Sequence, residues 1–212
     1  TSLREGRTVP CDVLEARSGE AGSVPRHFVG YGGVGIFGRV PHFTENRFMK
    51  YYKGVLSQLF GDMGPFLVGA SLSGLEQTLK ACFRGRAQWT VQVDGEEVAQ
   101  DPFQAMIIVN GDLGPNLPFA RGEPLGSGRF HLFTIEDLGL WRLVGQFRHA
   151  WNASIVEEPD AWGFAAYSVK EELRIVPARE GPFPVNVDGS TMLCQSWAAI
   201  RIVDQIGLIS RE

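Results

Sequence analysis

Two short acidic turns hold the side chains best suited to chemistry: Asp94-Gly95-Glu96-Glu97 and, much later in the chain, Asp188-Gly189-Ser190. A carboxylate at such a tip can orient a hydroxyl or accept its proton, provided strand pairing carries the turn to a cleft. Asp-Gly is also the strongest short hairpin signal, so a solvated hairpin tip is the competing assignment at both places. A third segment, Gly33-Val-Gly35-Ile-Phe-Gly38, has the G-x-G-x-x-G spacing of a dinucleotide-binding turn. That spacing cradles a pyrophosphate only where a strand feeds it and a helix starts on it. Pro41 disfavours helix just before itself, so Arg39 to Phe43 read as extended and the glycines as a strand or bulge where backbone packs closely.

Other catalytic patterns are missing. His27, His42, His131 and His149 have no metal-ligand spacing, no G-x-S-x-G elbow marks Ser71, Ser73, Ser190 or Ser196 as a nucleophile, and there is no Walker-type loop. Cys11, Cys82 and Cys194 are odd in number and far apart, which argues against a disulfide framework and a zinc site and leaves a reducing cytoplasm as the default. A formal net charge of -4 gives no basic footprint, so no nucleic-acid partner is expected. The sequon Asn152-Ala-Ser154 has no secretory signal to accompany it and reads as chance.

The elements that must position these residues are mostly short and β-type. A chain of 212 residues, 44% hydrophobic and 21% charged, can bury a proper core in one large or two small domains. Its 26 glycines and 12 prolines are spread along the sequence and argue against a helical bundle. Strands are predicted at 8–16, 27–35, 87–95, 105–110, 129–135, 168–176, 183–189 and 199–204. Amphipathic helices are predicted at 44–60, with Phe48, Tyr52 and Leu56 near a 3.6 period, at 71–83, and at 137–151 with Leu140, Leu143, Val144, Phe147 and Trp151. The class is α+β and mainly β. No transmembrane run or signal pattern is present, and a chain opening on Thr1 in a polar run that soon turns strand-like reads as a piece of a longer protein.

Taken in order, these landmarks resemble the C-terminal half of the diacylglycerol kinase and sphingosine kinase superfamily of soluble lipid kinases. "GRTVPCDVLEA" and "GYGGVGIFGRV" are similar to its linker strand and small-residue G-x-G-F-D-A-x-V segment. "KYYKGVLSQL" resembles its Lys-Gly-x-Leu-Ser-Tyr helix, and "TVQVDGEEVAQDPFQAMIIVNG" its strand-turn-strand ending in Asn110-Gly111. "DLGPNLPFARGEPLGSGRFHLF" and "GPFPVNVDGSTM" stand where the family has its Asp-Gly-x-Leu-Asp strand and its late Asp-Gly-Glu.

The resemblance spans nearly all of the chain and implies an antiparallel β-sandwich-like domain with two or three amphipathic helices. It implies that residues 1–212 form a single C-terminal domain, inactive alone, which assists transfer of the ATP γ-phosphate to a lipid hydroxyl once joined to an N-terminal ATP-binding domain. ATP and magnesium would be held mainly by that other domain. The implied partners are a diacylglycerol or sphingoid lipid, a membrane surface touched peripherally from the cytoplasm, and a second copy of the chain in a homodimer. Phe48, Tyr52, Leu56, Asn110, Asp94 and Glu96 are the implied substrate-binding residues, with Asp188 and Ser190 at the catalytic position. Two departures stand out. The family's glutamate, the proposed general base, is replaced by Ser190, which lacks a carboxylate's basicity. The aspartate that helps hold a structural magnesium is replaced by Ser127, with Arg129 beside it. These departures motivate an alternative, a degenerate, non-catalytic lipid-binding or regulatory module.

Overall fold

The computed structural model describes residues 8–20, 22–39, 86–113, 120–151 and 154–209. Twelve strands run through them: β1 Thr8–Ser18, β2 Arg26–Phe28, β3 Tyr31–Gly35, β4 Trp89–Val93, β5 Glu96–Asp101, β6 Phe103–Val109, β7 Phe130–Glu136, β8 Phe164–Val169, β9 Glu172–Pro177, β10 Phe183–Val187, β11 Ser190–Cys194 and β12 Ala198–Ile209. Helix α1 spans Leu140–Trp151 and the single-turn α2 spans Pro159–Trp162. The strands form two six-stranded sheets, in the orders β2-β1-β12-β9-β4-β5 and β11-β10-β3-β6-β7-β8. Every pairing is antiparallel, so the α+β, mainly β, sandwich-like class is observed.

The two strand orders are related by a hidden symmetry. Read from β8, the second sheet runs β8-β7-β6-β3-β10-β11, and each of its strands lies six places along the chain from its counterpart in the first sheet. The first six strands therefore repeat the topology of the last six, with the sheets exchanged. Six connections cross between the sheets, and each has a counterpart six strands along the chain, as β2 to β3 has in β8 to β9. The strands predicted at 27–35 and 168–176 are each divided by one of these crossings, into β2 and β3 and into β8 and β9.

Alternation sets what faces inward. Leu14 and Ala16 of β1, Val91 of β4, Leu173 and Ile175 of β9, and Phe130 and Leu132 of β7 meet between the sheets. The second sheet is covered on its outer side as well, by a cluster including Ile36, Ile107, Phe133, Ile135, Ile155 and Phe164. Burial on both faces explains why β6, "FQAMIIV", is apolar at every position but Gln104 rather than alternating. The first sheet's outer face carries charge instead: the Glu15 carboxylate accepts from Arg17 at 2.6 Å and Arg201 at 3.2 Å.

The glycine segment packs backbone on backbone. A Cβ on Gly33 would lie 2.7 Å from the Met106 carbonyl oxygen, and one on Gly38 would collide with that of Pro184. Gly35 has a φ of +71° against the Gln104 carbonyl. Residues 36–39 are helical, not extended as expected at Arg39, because a proline restricts the residue immediately before it and Pro41 leaves 36–39 unconstrained. A dinucleotide turn still does not form, since β3 lies antiparallel between β10 and β6 rather than in a parallel sheet. The predicted helices at 44–60 and 71–83 lie outside the described residues.

Candidate functional site

Both Asp-Gly turns lie at the same end of the sandwich. Their adjoining strand ends are linked by register: Val93 pairs with Leu173 just after the β8–β9 crossing, Val169 with Phe130, His131 with Val109, Val109 with Tyr31, and Gly32 with Val187. Each aspartate sits at a positive φ, 52° at Asp94 and 44° at Asp188, a region that aspartate tolerates better than most residues.

Each of these carboxylates fastens a crossing between the sheets. Asp188 accepts backbone N–H groups from Val29 at 2.9 Å, Gly30 at 3.1 Å and Tyr31 at 2.8 Å, and its own N–H donates to the Tyr31 carbonyl at 2.9 Å. Asp94 repeats the pattern with Lys170 at 3.1 Å, Glu171 at 2.7 Å and Glu172 at 3.1 Å, and its N–H donates to the Glu172 carbonyl at 2.8 Å. The same clasp therefore holds β2–β3 and β8–β9. Its acceptor oxygens are occupied by backbone donors, so neither aspartate is free to take a proton from a substrate without loosening its crossing.

Asn110, at the end of β6, is fully buried and ties the first sheet to this end: its Nδ2 donates to the Asp12 carbonyl at 2.6 Å and to that of Val29 at 2.8 Å. Its Oδ1 has no hydrogen-bond partner among the described residues. Asp12 is 2% exposed; it accepts from the Gly128 N–H at 2.8 Å and from Gln205 Nε2 at 2.9 Å. It thereby anchors the loop bearing Ser127, whose hydroxyl donates to the Arg129 carbonyl at 3.1 Å. No motif marks Asp12; its one signal in the sequence is a charged residue inside the strand "TVPCDVLEA".

The remaining polar groups here are electrically quiet. Burial, then Asp12 and Asp188, push the Cys11 thiol up, keeping it protonated. Burial and the nearby Asp188 charge likewise raise the Tyr31 phenol. Burial lowers His131, and Arg129 adds to this against the opposing pull of Glu123, so the imidazole is neutral at neutral pH. Ser190 is half-buried, and its hydroxyl donates to the Val187 carbonyl at 2.9 Å. Glu96 is exposed at the first position of β5, the place Ser190 occupies in β11. Phe48, Tyr52 and Leu56 lie outside the described residues.

Magnesium does not fit this set. Among the described residues no three His, Cys, Asp or Glu side chains converge as metal ligands, and Asp12, Asp94 and Asp188 already accept N–H groups. The arrangement is a preorganised rim of backbone turns with little independent acid or base capacity.

This fold is shared with solved structures. One, of a protein assigned as a diacylglycerol kinase from Bacillus anthracis str. Sterne, superimposes with a TM-score of 0.59 at 16% identity, over 96% of this chain and 57% of that one. Another, also assigned as a diacylglycerol kinase from that organism, gives 0.57 at 13% identity with the same coverages. The fold expected from the order of the landmarks is thus that of a diacylglycerol kinase-like domain. The chain spans a little over half the length of those structures. No family model matches it, and no curated protein matches it in sequence.

Proposed function

We propose that this chain is the lipid-side portion of a diacylglycerol kinase-like protein. Joined to an ATP-binding portion, it presents the hydroxyl of a diacylglycerol or sphingoid lipid to the γ-phosphate of ATP, with magnesium held mainly by the other portion. The supporting observation is the superposition of 96% of the chain on little more than half of a diacylglycerol kinase structure. Residues 1–212 act as one C-terminal domain, inactive alone, cytoplasmic and peripheral to the membrane. Phe48, Tyr52 and Leu56 line the lipid slot; Asn110, Asp94 and Glu96 shape the hydroxyl end. Asp188 holds the tip on which Ser190 replaces the acidic base, so catalysis rests on positioning and electrostatic stabilisation.

A second reading is favoured by one observation: the Ser190 hydroxyl already donates to Val187, and the carboxylate beside it, Asp188, is taken up by backbone N–H groups. On this reading the module binds lipid without phosphorylating it. The parent protein, incubated with radiolabelled ATP and lipid extract, separates the two. The kinase reading expects labelled lipid, and more of it from Ser190→Glu. Labelling in neither protein overturns the kinase reading, whereas turnover unaffected by Ser190→Ala removes the serine from the mechanism.

A further inference from the structure

Among the described residues no helix packs on the outer face of the first sheet; Leu143 of α1 and Trp162 of α2 join the cluster on the second. Alternation sets what that open face carries. Leu14, Ala16, Leu173, Ile175, Val91 and Ile200 point between the sheets, so the residues next to them along each strand point outward. Register then sorts these into rows across the sheet. One row reads His27, Glu15, Arg201 and Glu172, and the next Arg17, Ala199, Arg174, Gln92 and Glu97. Beyond them stand Val176 and Trp197, whose half-buried indole stacks at 4.4 Å on the Arg174 guanidinium. Within these rows the charges divide at the middle of the sheet, between β12 and β9. On the β2-β1-β12 side two arginines and a histidine surround one carboxylate: Glu15 accepts from Arg17 at 2.6 Å and Arg201 at 3.2 Å, with His27 at 3.4 Å. On the β9-β4-β5 side Glu172 and Glu97 outnumber Arg174.

We propose that this face packs on the same face of a second copy of the chain, about a two-fold axis that lies in the interface along the strands, between β12 and β9. Such an axis keeps each row at its level and exchanges the row's two ends. Arg201 then meets the partner's Glu172, Arg17 meets the partner's Gln92, and Trp197 meets the partner's Val176. The small side chain of Ala199 leaves room for the partner's Arg174, held in place by its own indole. Charge selects this orientation. A two-fold axis running across the strands instead lays each half on itself, basic on basic and acidic on acidic. Charge also selects the occupant: an anionic partner matches only the β2-β1-β12 half and a cationic one only the other, whereas a second copy supplies both. The same axis leaves the Asp-Gly rims of both copies at one end of the dimer. On the lipid-kinase reading both sites then face one bilayer, although the association itself does not depend on that reading.

Sedimentation equilibrium of the full chain tests the assignment. Wild type should form a reversible dimer that added salt weakens. Gln92→Lys sets a cation against the partner's Arg17 and should raise the dimer dissociation constant roughly tenfold, whereas Gln92→Glu should lower it by about threefold or more. Val176→Glu places a charge against the partner's Trp197 and should weaken the dimer by roughly a hundredfold. Circular dichroism checks each fold. The two Gln92 variants change only the sign of one half-buried side chain, so their opposite effects remain readable if Val176→Glu fails to fold. A wild type that stays monomeric at about 100 μM overturns the proposal, as does a dimer whose dissociation constant is the same in both Gln92 variants. Kinase activity of the parent protein is measured apart from this, so an inactive dimer defeats the kinase reading and leaves the interface standing.

Discussion

Replacing Asp188 by alanine should cost about 3 kcal/mol of stability, and the figure follows from two separable losses. Three backbone donors, on Val29, Gly30 and Tyr31, lose their carboxylate. They lie near solvent and can rehydrate, so each contributes roughly 0.5–1 kcal/mol rather than the larger value of a buried charged bond. Alanine at a φ of 44° adds about 1 kcal/mol of backbone strain. Asparagine tolerates that φ and retains one acceptor oxygen, so Asp188→Asn should lose about half as much. Asp94→Ala, with the same three-donor geometry, should match Asp188→Ala within roughly 1 kcal/mol. Urea unfolding reads these as midpoint shifts at unchanged slope. A loss below about 0.5 kcal/mol for Asp188→Ala, or an asparagine variant worse than alanine, would refute the clasp. A stability gain would instead mark a carboxylate kept for chemistry at the expense of the fold.

Further outcomes follow from other parts of the sandwich. Burial raises the Glu15 carboxyl, but Arg17 and Arg201 more than offset this and hold it below its ordinary 4.5. A depressed folded value means its stabilisation is present above the unfolded pKa and is lost as pH falls through the folded one, so Glu15→Gln should flatten the acid limb of stability below about pH 4.5; an unchanged limb contradicts the pairing. Gly38→Ala drives a Cβ into the Pro184 carbonyl and should destabilise by about 2 kcal/mol or more, measured by thermal melting, without altering nucleotide binding by the parent protein. Burial pushes the Cys194 thiol up to about 11 against a weaker opposing bond from Ser18, so it should resist a thiol reagent at pH 8 until the protein unfolds; fast labelling in the native Cys82→Ser variant contradicts this.

Strands were legible where one face is buried and the pattern local. β1, β6, β7 and β10 fall close to their predicted spans because apolar and β-branched residues there are bounded by breakers, whereas β12 runs five residues past its predicted end, to Ile209. The two breaks that escaped, inside 27–35 and 168–176, have one cause. Each crossing is clasped by a carboxylate far away in sequence, Asp188 for residues 29–31 and Asp94 for residues 170–172. Strand β5, "EEVAQD", was missed because an exposed edge strand has little apolar alternation to read. Helix α1 was legible in place; of its predicted apolar face Leu143 packs on the outer cluster and Val144 is exposed, while the buried Gln146, which bonds the Trp162 carbonyl, carries no apolar signal.

The likeness of "VDGEEV" and "VDGSTM" was visible, and hairpin tips account for both, as local turn chemistry requires. The symmetry that makes those tips equivalent was not, because it lies in strand order, where 12 strands exchange sheets without any repeated sequence. Asp12 was likewise hidden: its partners, Gly128 and Gln205, become neighbours only when the segment around Gly128 meets β1 and β12.

Hydrogen exchange on the parent protein, with and without micelles of a short-chain diacylglycerol, tests the central claim most directly. If this end of the sandwich receives the lipid hydroxyl, added protection falls on residues 29–31, 110–112, 125–129 and 188–190. Protection confined to other surfaces, or none at saturating lipid, contradicts the account.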